Sequence, residues 1–85
     1  MSDLVMLGLA PGMRVRFRRE PTDRWKPAIV ERVERDGSLG LRDEKGASRA
    51  IPVELVEVET RGPRGAWTWE PVTERAAREE QLKLL

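Results

Sequence analysis

The sequence predicts a mainly β fold: a small antiparallel barrel of about five strands with a short C-terminal helix. The first observation is a series of short segments between residues 13 and 59 in which apolar and polar residues alternate, the pattern of half-buried strands. The second is their close spacing, with Gly, Pro and Asp turn signals between them. The third is a run of helix-forming residues after residue 73. A chain of 85 residues forms one small domain.

The first predicted strand spans residues 13–18 and alternates strictly. Met13, Val15 and Phe17 fall on one face, and arginines fall on the other. Period two over six residues is the signal of a half-buried strand. Pro11-Gly12 marks its start, and a polar loop over residues 20–23 follows it.

The second predicted strand runs from about Trp25 to Arg35, and its apolar residues do not keep a single alternation. A bulge or bend near residues 30–32 would restore the inward face for Val33. Pro27 has no N–H to donate, so we expect it at a strand start or at a sheet edge.

Turn signals separate the remaining strands. Asp36-Gly37 predicts a hairpin turn before a strand that carries Leu39 and Leu41. A second turn is predicted over residues 43–46, followed by a short strand at about 47–51. A single tight turn is expected over 52–55, and residues 56–59 alternate again.

The pattern over roughly residues 10–60 resembles SH3-like barrels of the Tudor and KOW kind. The segments that carry the resemblance are Pro11-Gly12-Met13-Arg14-Val15, a loop to Trp25, Ala28-Ile29-Val30, Asp36-Gly37-Ser38-Leu39 and Ile51-Pro52-Val53-Glu54-Leu55-Val56. The resemblance implies a one-turn helix before the last strand, where Pro52 to Leu55 lies. We therefore predict that residues 1–60 form an SH3-like barrel with an N-terminal apolar segment.

Composition argues against several classes of function. The chain has no cysteine and no histidine, which removes thiolate nucleophiles, disulfides, most zinc sites and the usual general base near neutral pH. It also lacks a glycine-rich phosphate loop. We therefore expect a protein that is not an enzyme, with no catalytic residues, no metal and no cofactor. The apolar run over residues 4–9 is too short to span a bilayer and follows an aspartate, so we expect a cytoplasmic protein without a membrane partner.

A basic surface is the first candidate site. Arg14, Arg16 and Arg18 project from one strand face, where they would track phosphates. The other members of the predicted nucleic-acid-binding set are Arg19, Arg24, Lys26 and Trp25, the last as a platform for a base. The alternative is a solvated face whose arginines pair with Glu57, Glu59 or Glu34.

Trp25 has two further interpretations. Tudor-type barrels cage a methylated side chain with several aromatic rings, which act through cation–π attraction, and the resemblance implies that Trp25 would be half of such a cage. Alternatively, it covers one end of the barrel. The chain has three tryptophans, one phenylalanine and no tyrosine, which is a poor supply for a cage.

Residues 61–72 are predicted to form a linker and a Trp-rich extended segment. Gly62, Pro63 and Gly65 give its first part a hinge-like composition. Trp67 and Trp69 then fall on one side of an extended chain. They would pack back on the barrel and close a sheet edge, or anchor a protein partner.

Residues 73–85 are predicted to form a short helix and a partner-binding tail. Thr73 is a good N-cap, and Arg75 and Glu79 have the i,i+4 spacing of an ion pair. The helix offers almost no apolar stripe before Leu82 and would be marginal by itself in water. We therefore expect it to act as a spacer that projects the tail.

The tail, Gln81-Leu82-Lys83-Leu84-Leu85, resembles the peptide by which bacterial DNA polymerases and repair factors dock on the sliding clamp. The resemblance implies that Gln81 fills a polar subsite, Leu82 makes the first apolar contact, and Leu84 with Leu85 fills the hydrophobic subsite. Lys83 stands where serine or aspartate is common, and Leu85 stands where phenylalanine is preferred. The alternatives are a tail packed on the barrel and an apolar tag for a degradation machine.

These observations lead to two hypotheses. The first is a non-enzymatic adaptor that docks through Gln81, Leu82, Leu84 and Leu85 onto a replication or repair protein, the sliding clamp, while the barrel contacts DNA or another protein. The second is a small nucleic-acid-binding barrel of transcription or translation, with DNA or RNA as its partner and a purely structural tail.

Overall fold

In the computed structural model, which describes residues 3–83, the chain forms one open antiparallel sheet of six strands and a C-terminal helix. The elements in chain order are a 3-10 helix (Asp3–Leu7), β1 (Arg14–Phe17), β2 (Lys26–Val33), β3 (Leu39–Asp43), β4 (Ser48–Ile51), a second 3-10 helix (Val53–Leu55), β5 (Val56–Arg61), β6 (Trp67–Pro71) and α1 (Val72–Lys83). The spatial order is β4-β3-β2-β1-β5-β6. The mainly β class is confirmed, but the predicted count of about five strands is wrong because the sheet has six.

The predicted bulge in β2 is present. Ala28 lies opposite Asp43 of β3, whereas Val33 lies opposite Leu39, and the register shifts between Val30 and Arg32. Since side chains alternate with a period of two, one extra residue moves the following positions to the other face. The bulge therefore explains how the second strand keeps an inward face despite its irregular sequence. Pro27 lies near the start of β2, as expected.

The turn between β2 and β3 follows the chemistry of its sequence. Gly37 has φ of +90°, which a side chain rarely tolerates. Oδ1 of Asp36 accepts hydrogen bonds from the backbone N–H and the hydroxyl of Ser38, at 3.0 and 2.6 Å. These bonds lower the pKa of Asp36 below its ordinary value. The tight turn predicted before β5 is also present, as the 3-10 helix Val53–Leu55.

One apolar core joins two of the three predicted segments of the chain, residues 1–60 and 61–72. Its fully or almost fully buried members are Leu4, Leu9, Val15, Phe17, Ala28, Val30, Leu39, Leu41, Ile51, Val56, Val58 and Val72. Leu4 and Leu9 come from the N-terminal apolar run, and Val72 is the first residue of α1. Burying a side chain of this kind stabilises a domain by about 1.5–3 kcal/mol. The core therefore extends beyond residues 10–60 at both ends.

The sixth strand comes from the segment predicted as a linker and a Trp-rich extended segment. β6 pairs antiparallel with β5, and Arg61 lies opposite Trp67. The hairpin turn is closed by Gly62, whose N–H donates to the carbonyl of Ala66 at 2.8 Å, and by Gly65, whose N–H donates to the carbonyl of Gly62 at 2.9 Å. Gly65 has φ of +82°. The glycines that suggested a hinge form a hairpin instead.

Helix α1 is attached to the domain and does not project as a free spacer. It begins at Val72, so Thr73 lies in its first turn and is not the N-cap. Arg75 donates from Nε to the carbonyl of Gly8 at 2.7 Å. Gly8 has φ of +72°, and a Cβ atom there would lie 2.7 Å from Cγ of Glu79. The positive φ therefore favours glycine at this position, and a larger residue would also displace the side chain of Glu79.

Glu70, at the end of β6, collects the second set of helix contacts. Its carboxylate accepts hydrogen bonds from Arg78 and, at 3.3 Å, from Arg75. Arg75 also donates to Oγ1 of Thr60 at 3.3 Å. The hydrogen bond from Arg78, with help from the charge of Arg75, holds the pKa of Glu70 below its ordinary value. The predicted i,i+4 partner Glu79 is therefore not the carboxylate that Arg75 contacts.

Within residues 3–83, no helix combines the length and the apolar character that crossing a membrane requires.

Candidate functional site

The outer face of β1 is the first candidate surface, and two of its arginines are paired across the sheet. Val15 lies opposite Val58 of β5 and Arg16 opposite Glu57. Arg16 donates to Oε1 of Glu57 from Nε at 2.8 Å and from Nη2 at 2.5 Å. Arg14 lies 3.8 Å from the carboxylate of Glu59, and its side chain is 68% exposed. Arg14 and Arg16 are therefore paired with carboxylates, as the alternative interpretation of this face predicts.

Arg16 is also held between two aromatic rings. Its guanidinium carbon lies 4.1 Å from the ring centroid of Trp25 and 4.7 Å from that of Trp69. The first ring comes from the loop before β2 and the second from β6. A cation at these distances is attracted to the face of the ring, by about 0.5–2 kcal/mol for each contact. Arg16 therefore joins four parts of the fold: β1, the β1–β2 loop, β5 and β6.

Two arginines contact the ring of Trp25. The guanidinium carbon of Arg18 lies 4.1 Å from the Trp25 centroid, the same distance as that of Arg16. Arg16 and Arg18 are alternate residues of one strand and its end, so their side chains lie on the same side and about 6.5 Å apart. A base or a methylated side chain would have to compete with these two guanidinium groups for the ring, which makes Trp25 a poor stacking platform and a poor half of an aromatic cage.

The remaining cations of the predicted set surround the β1–β2 loop. They are Arg18, Arg19, Arg24 and Lys26. Within residues 3–83, none of these four lies within 4.0 Å of a carboxylate oxygen, whereas seven other arginines do. We call these four residues the loop cations. The structure thus divides the predicted basic surface into a paired part on β1 and an unpaired part at the loop.

A shallow cleft of about 240 Å³ borders the loop cations. Its lining includes Arg18, Arg19, Trp25 and the segment from Glu54 to Glu57. Both signs of charge are present, because Glu20, Glu54 and Glu57 contribute carboxylates beside the two arginines. The cleft is therefore not a uniformly positive wall.

The tail is the second candidate site, and part of it is visible. Gln81 and Leu82 lie in the last turn of α1, and both are exposed. Leu82 has 58% of its surface accessible. Leu84 and Leu85, the predicted apolar anchors, lie outside the described residues. Gln81 and Leu82 therefore point into solvent from a helix whose first turn is anchored in the core.

Two residues that matter at this site were not predicted for it. Trp69 stacks on Arg16 only because β6 pairs with β5, and Arg75 fixes α1 through a carbonyl 67 positions earlier in the chain. No local pattern marks either contact. The one useful sequence pattern was the alternation of residues 56–59, which places Glu57 on a strand face. It correctly predicted Glu57 as a partner for the arginine face.

The described residues contain no group of three or more acidic side chains that could hold a metal ion. Comparison with known proteins gives no match: no protein-family model, no curated protein and no solved structure is significantly similar to this chain.

Proposed function

We propose that the protein is a non-enzymatic adaptor that docks through residues 81–85 onto a replication or repair partner, the bacterial DNA sliding clamp. The observation that carries the proposal is the exposure of Leu82, at 58%, at the end of a helix whose other contacts are satisfied. Exposed apolar residues on a short peptide suit insertion into a hydrophobic groove. An anchored helix lowers the entropy that such a peptide loses on binding.

The sheet supplies the rigid body of the adaptor in this proposal. We propose that it is an SH3-like barrel of the Tudor or KOW kind. Support comes from the bulge between Val30 and Arg32, which bends β2, and from the one-turn helix Val53–Leu55 directly before β5. The core on one face of the strands is consistent with a sheet that curves around it.

The alternative, a nucleic-acid-binding barrel whose footprint is the whole basic set, receives less support. Arg14 and Arg16 are paired with Glu59 and Glu57, and the ring of Trp25 already contacts two guanidinium groups. A surface that is neutralised in this way gains little from counterion release.

A binding assay with a purified bacterial clamp tests the adaptor proposal. The full chain is compared with the variant Leu84→Ala/Leu85→Ala by surface plasmon resonance, without DNA. Each buried leucine contributes about 1.5–3 kcal/mol, so losing both should weaken binding by about a hundredfold or more. The matched control is Val5→Ala/Met6→Ala, which removes two exposed apolar side chains outside the tail and should leave the affinity unchanged.

Two results would contradict the adaptor. One is the absence of clamp binding by the full chain at about 10 µM, where a complex of useful affinity is populated. The other is a loss of thermal stability in Leu84→Ala/Leu85→Ala, which would show that these leucines pack on the domain and do not wait for a partner. Unchanged stability combined with lost binding supports the proposal.

A further inference from the structure

We propose a second binding surface: the loop cations, Arg18, Arg19, Arg24 and Lys26, contact the phosphate backbone of duplex DNA without reading its sequence. This goes beyond docking by the tail and uses a different part of the molecule. The choice of DNA rests on the proposed function, because a clamp partner works on DNA. The attraction of the loop cations to phosphate groups does not depend on the proposed function.

The loop cations are the densest group of cations that face no carboxylate. Seven arginines of the strands and of α1 face carboxylates, for example Arg42 with Glu31 at 2.8 Å and Arg49 with Asp43 at 2.9 Å. Among the described residues, the other cations without such a partner, Arg35, Lys45, Arg61 and Arg64, are spread over three other turns. The loop cations lie within nine consecutive residues, and none of them has a carboxylate within 4.0 Å among the described residues. Such charges are the ones that gain from neutralising phosphates and releasing their counterions.

The acidic residues at the same end of the sheet set the strength of the contact. Asp23 accepts a hydrogen bond from the backbone N–H of Glu20 at 3.2 Å, and Glu57 accepts hydrogen bonds from Arg16. The carboxylates of Glu20 and Glu54 also line the cleft beside Arg18 and Arg19 and oppose an approaching phosphate. Residues 18–26 contain four cations and two acids, a net charge of +2. We therefore expect binding that is weak at physiological salt and strong enough to measure at low salt.

The arrangement of Trp25 decides between duplex and single strand. Single-strand binders combine a basic groove with aromatic faces on which bases stack. Here Arg16 and Arg18 each lie 4.1 Å from the Trp25 centroid, so two guanidinium groups compete with a base for this ring. Without stacking, only phosphates contribute, and the duplex carries about twice the charge per unit length. Duplex DNA should therefore bind more tightly than single-stranded DNA.

The test is fluorescence anisotropy of labelled duplexes of two unrelated sequences, with the full chain at about 50 and 200 mM salt. If all four loop cations contact phosphates, affinity should fall by about a hundredfold between these salt concentrations, and equally for both sequences. In Arg19→Ala/Arg24→Ala, which removes two of the four contacts, the fall should shrink to about tenfold. The control Arg35→Ala/Arg64→Ala removes two exposed cations at the opposite ends of β2 and β5 and should keep the parental salt dependence.

Several results would overturn the proposal: no binding at 50 mM salt, an equal effect of the two double variants, or tighter binding of single-stranded DNA. Tighter binding of duplex RNA would refute the assignment to DNA. Competition by poly-glutamate as effective as that by duplex DNA would make an acidic peptide the ligand instead. Since no clamp is present in this assay and no DNA in the other, failure of either proposal can be recognised separately.

Discussion

Replacing Arg16 by alanine should destabilise the fold more than any other change on the outer face of β1. The substitution removes two hydrogen bonds to Glu57 and the stacks on Trp25 and Trp69. The two charged side chains are only 26% and 21% exposed, so their bond contributes more than an exposed ion pair, about 1–2 kcal/mol. Each stack adds about 0.5–1 kcal/mol. Contacts that share one side chain do not add fully, so we expect a loss of about 2–3 kcal/mol in the free energy of unfolding.

Urea denaturation followed by circular dichroism measures this loss, and thermal unfolding should show a fall in Tm of about 10–20 °C for a domain of this size. The matched control is Arg14→Ala on the same strand face. Its side chain is 68% exposed and lies 3.8 Å from Glu59, so the expected cost is about 0–1 kcal/mol. Arg16→Lys keeps the charge but loses the planar stack and the double hydrogen bond, and should fall between the two.

Equal destabilisation by Arg14→Ala and Arg16→Ala would refute this reasoning. So would a loss below about 0.5 kcal/mol in Arg16→Ala, since that is the size of an ordinary surface substitution. Either result would mean that the arrangement of Arg16 between two tryptophans is incidental to stability.

Three further predictions concern the attachment of α1. Arg75→Ala removes the hydrogen bond to the carbonyl of Gly8, so hydrogen exchange of the α1 amides should accelerate by about tenfold or more, whereas Arg75→Lys should recover little of the protection. Val72→Ala leaves a cavity in the core and should cost about 2 kcal/mol in urea unfolding; a cost near zero would contradict the core assignment. The pKa of Glu70 in the folded state lies below its ordinary value of 4.5. Its contribution to the stability of the fold is therefore fully present above pH 4.5 and is lost as the pH falls through the folded-state pKa. Urea unfolding from pH 7 to pH 3 should show this decline, and Glu70→Gln, already less stable at pH 7, should decline less steeply.

The predictable parts of the fold are those set by neighbours in sequence. The alternation of Val15 and Phe17 defines the inward face of β1, and both are buried. The turn at Gly37 and the bulge before Val33 follow from the residue types at those positions. The sequence predicts that residues 67–69 are extended and return to a sheet edge, but not that they form a hairpin with β5, because the glycines and proline before them have the composition of a linker. Tertiary pairing here outweighs local propensity.

The candidate site shows the same limit. The arginine face and its acidic partner Glu57 follow from strand alternation. The stacking of Trp69 on Arg16 does not, because it requires a strand that local patterns do not reveal. The attachment of α1 through Arg75 joins residues far apart in the chain by polar contacts, whereas sequence patterns indicate apolar faces best. A polar helix is therefore the element whose docking is hardest to foresee.

The shared core has a consequence for how this protein can be shortened or transplanted. Leu4 and Leu9 at one end and Val72 at the other are buried against the same strands, so a fragment of residues 10–60 would expose apolar surface and lose several kcal/mol of burial. The smallest piece that folds by itself must reach from about Leu4 into the first turn of α1. Gln81 and Leu82 lie beyond that boundary and are exposed, so they can be exchanged without touching the sheet.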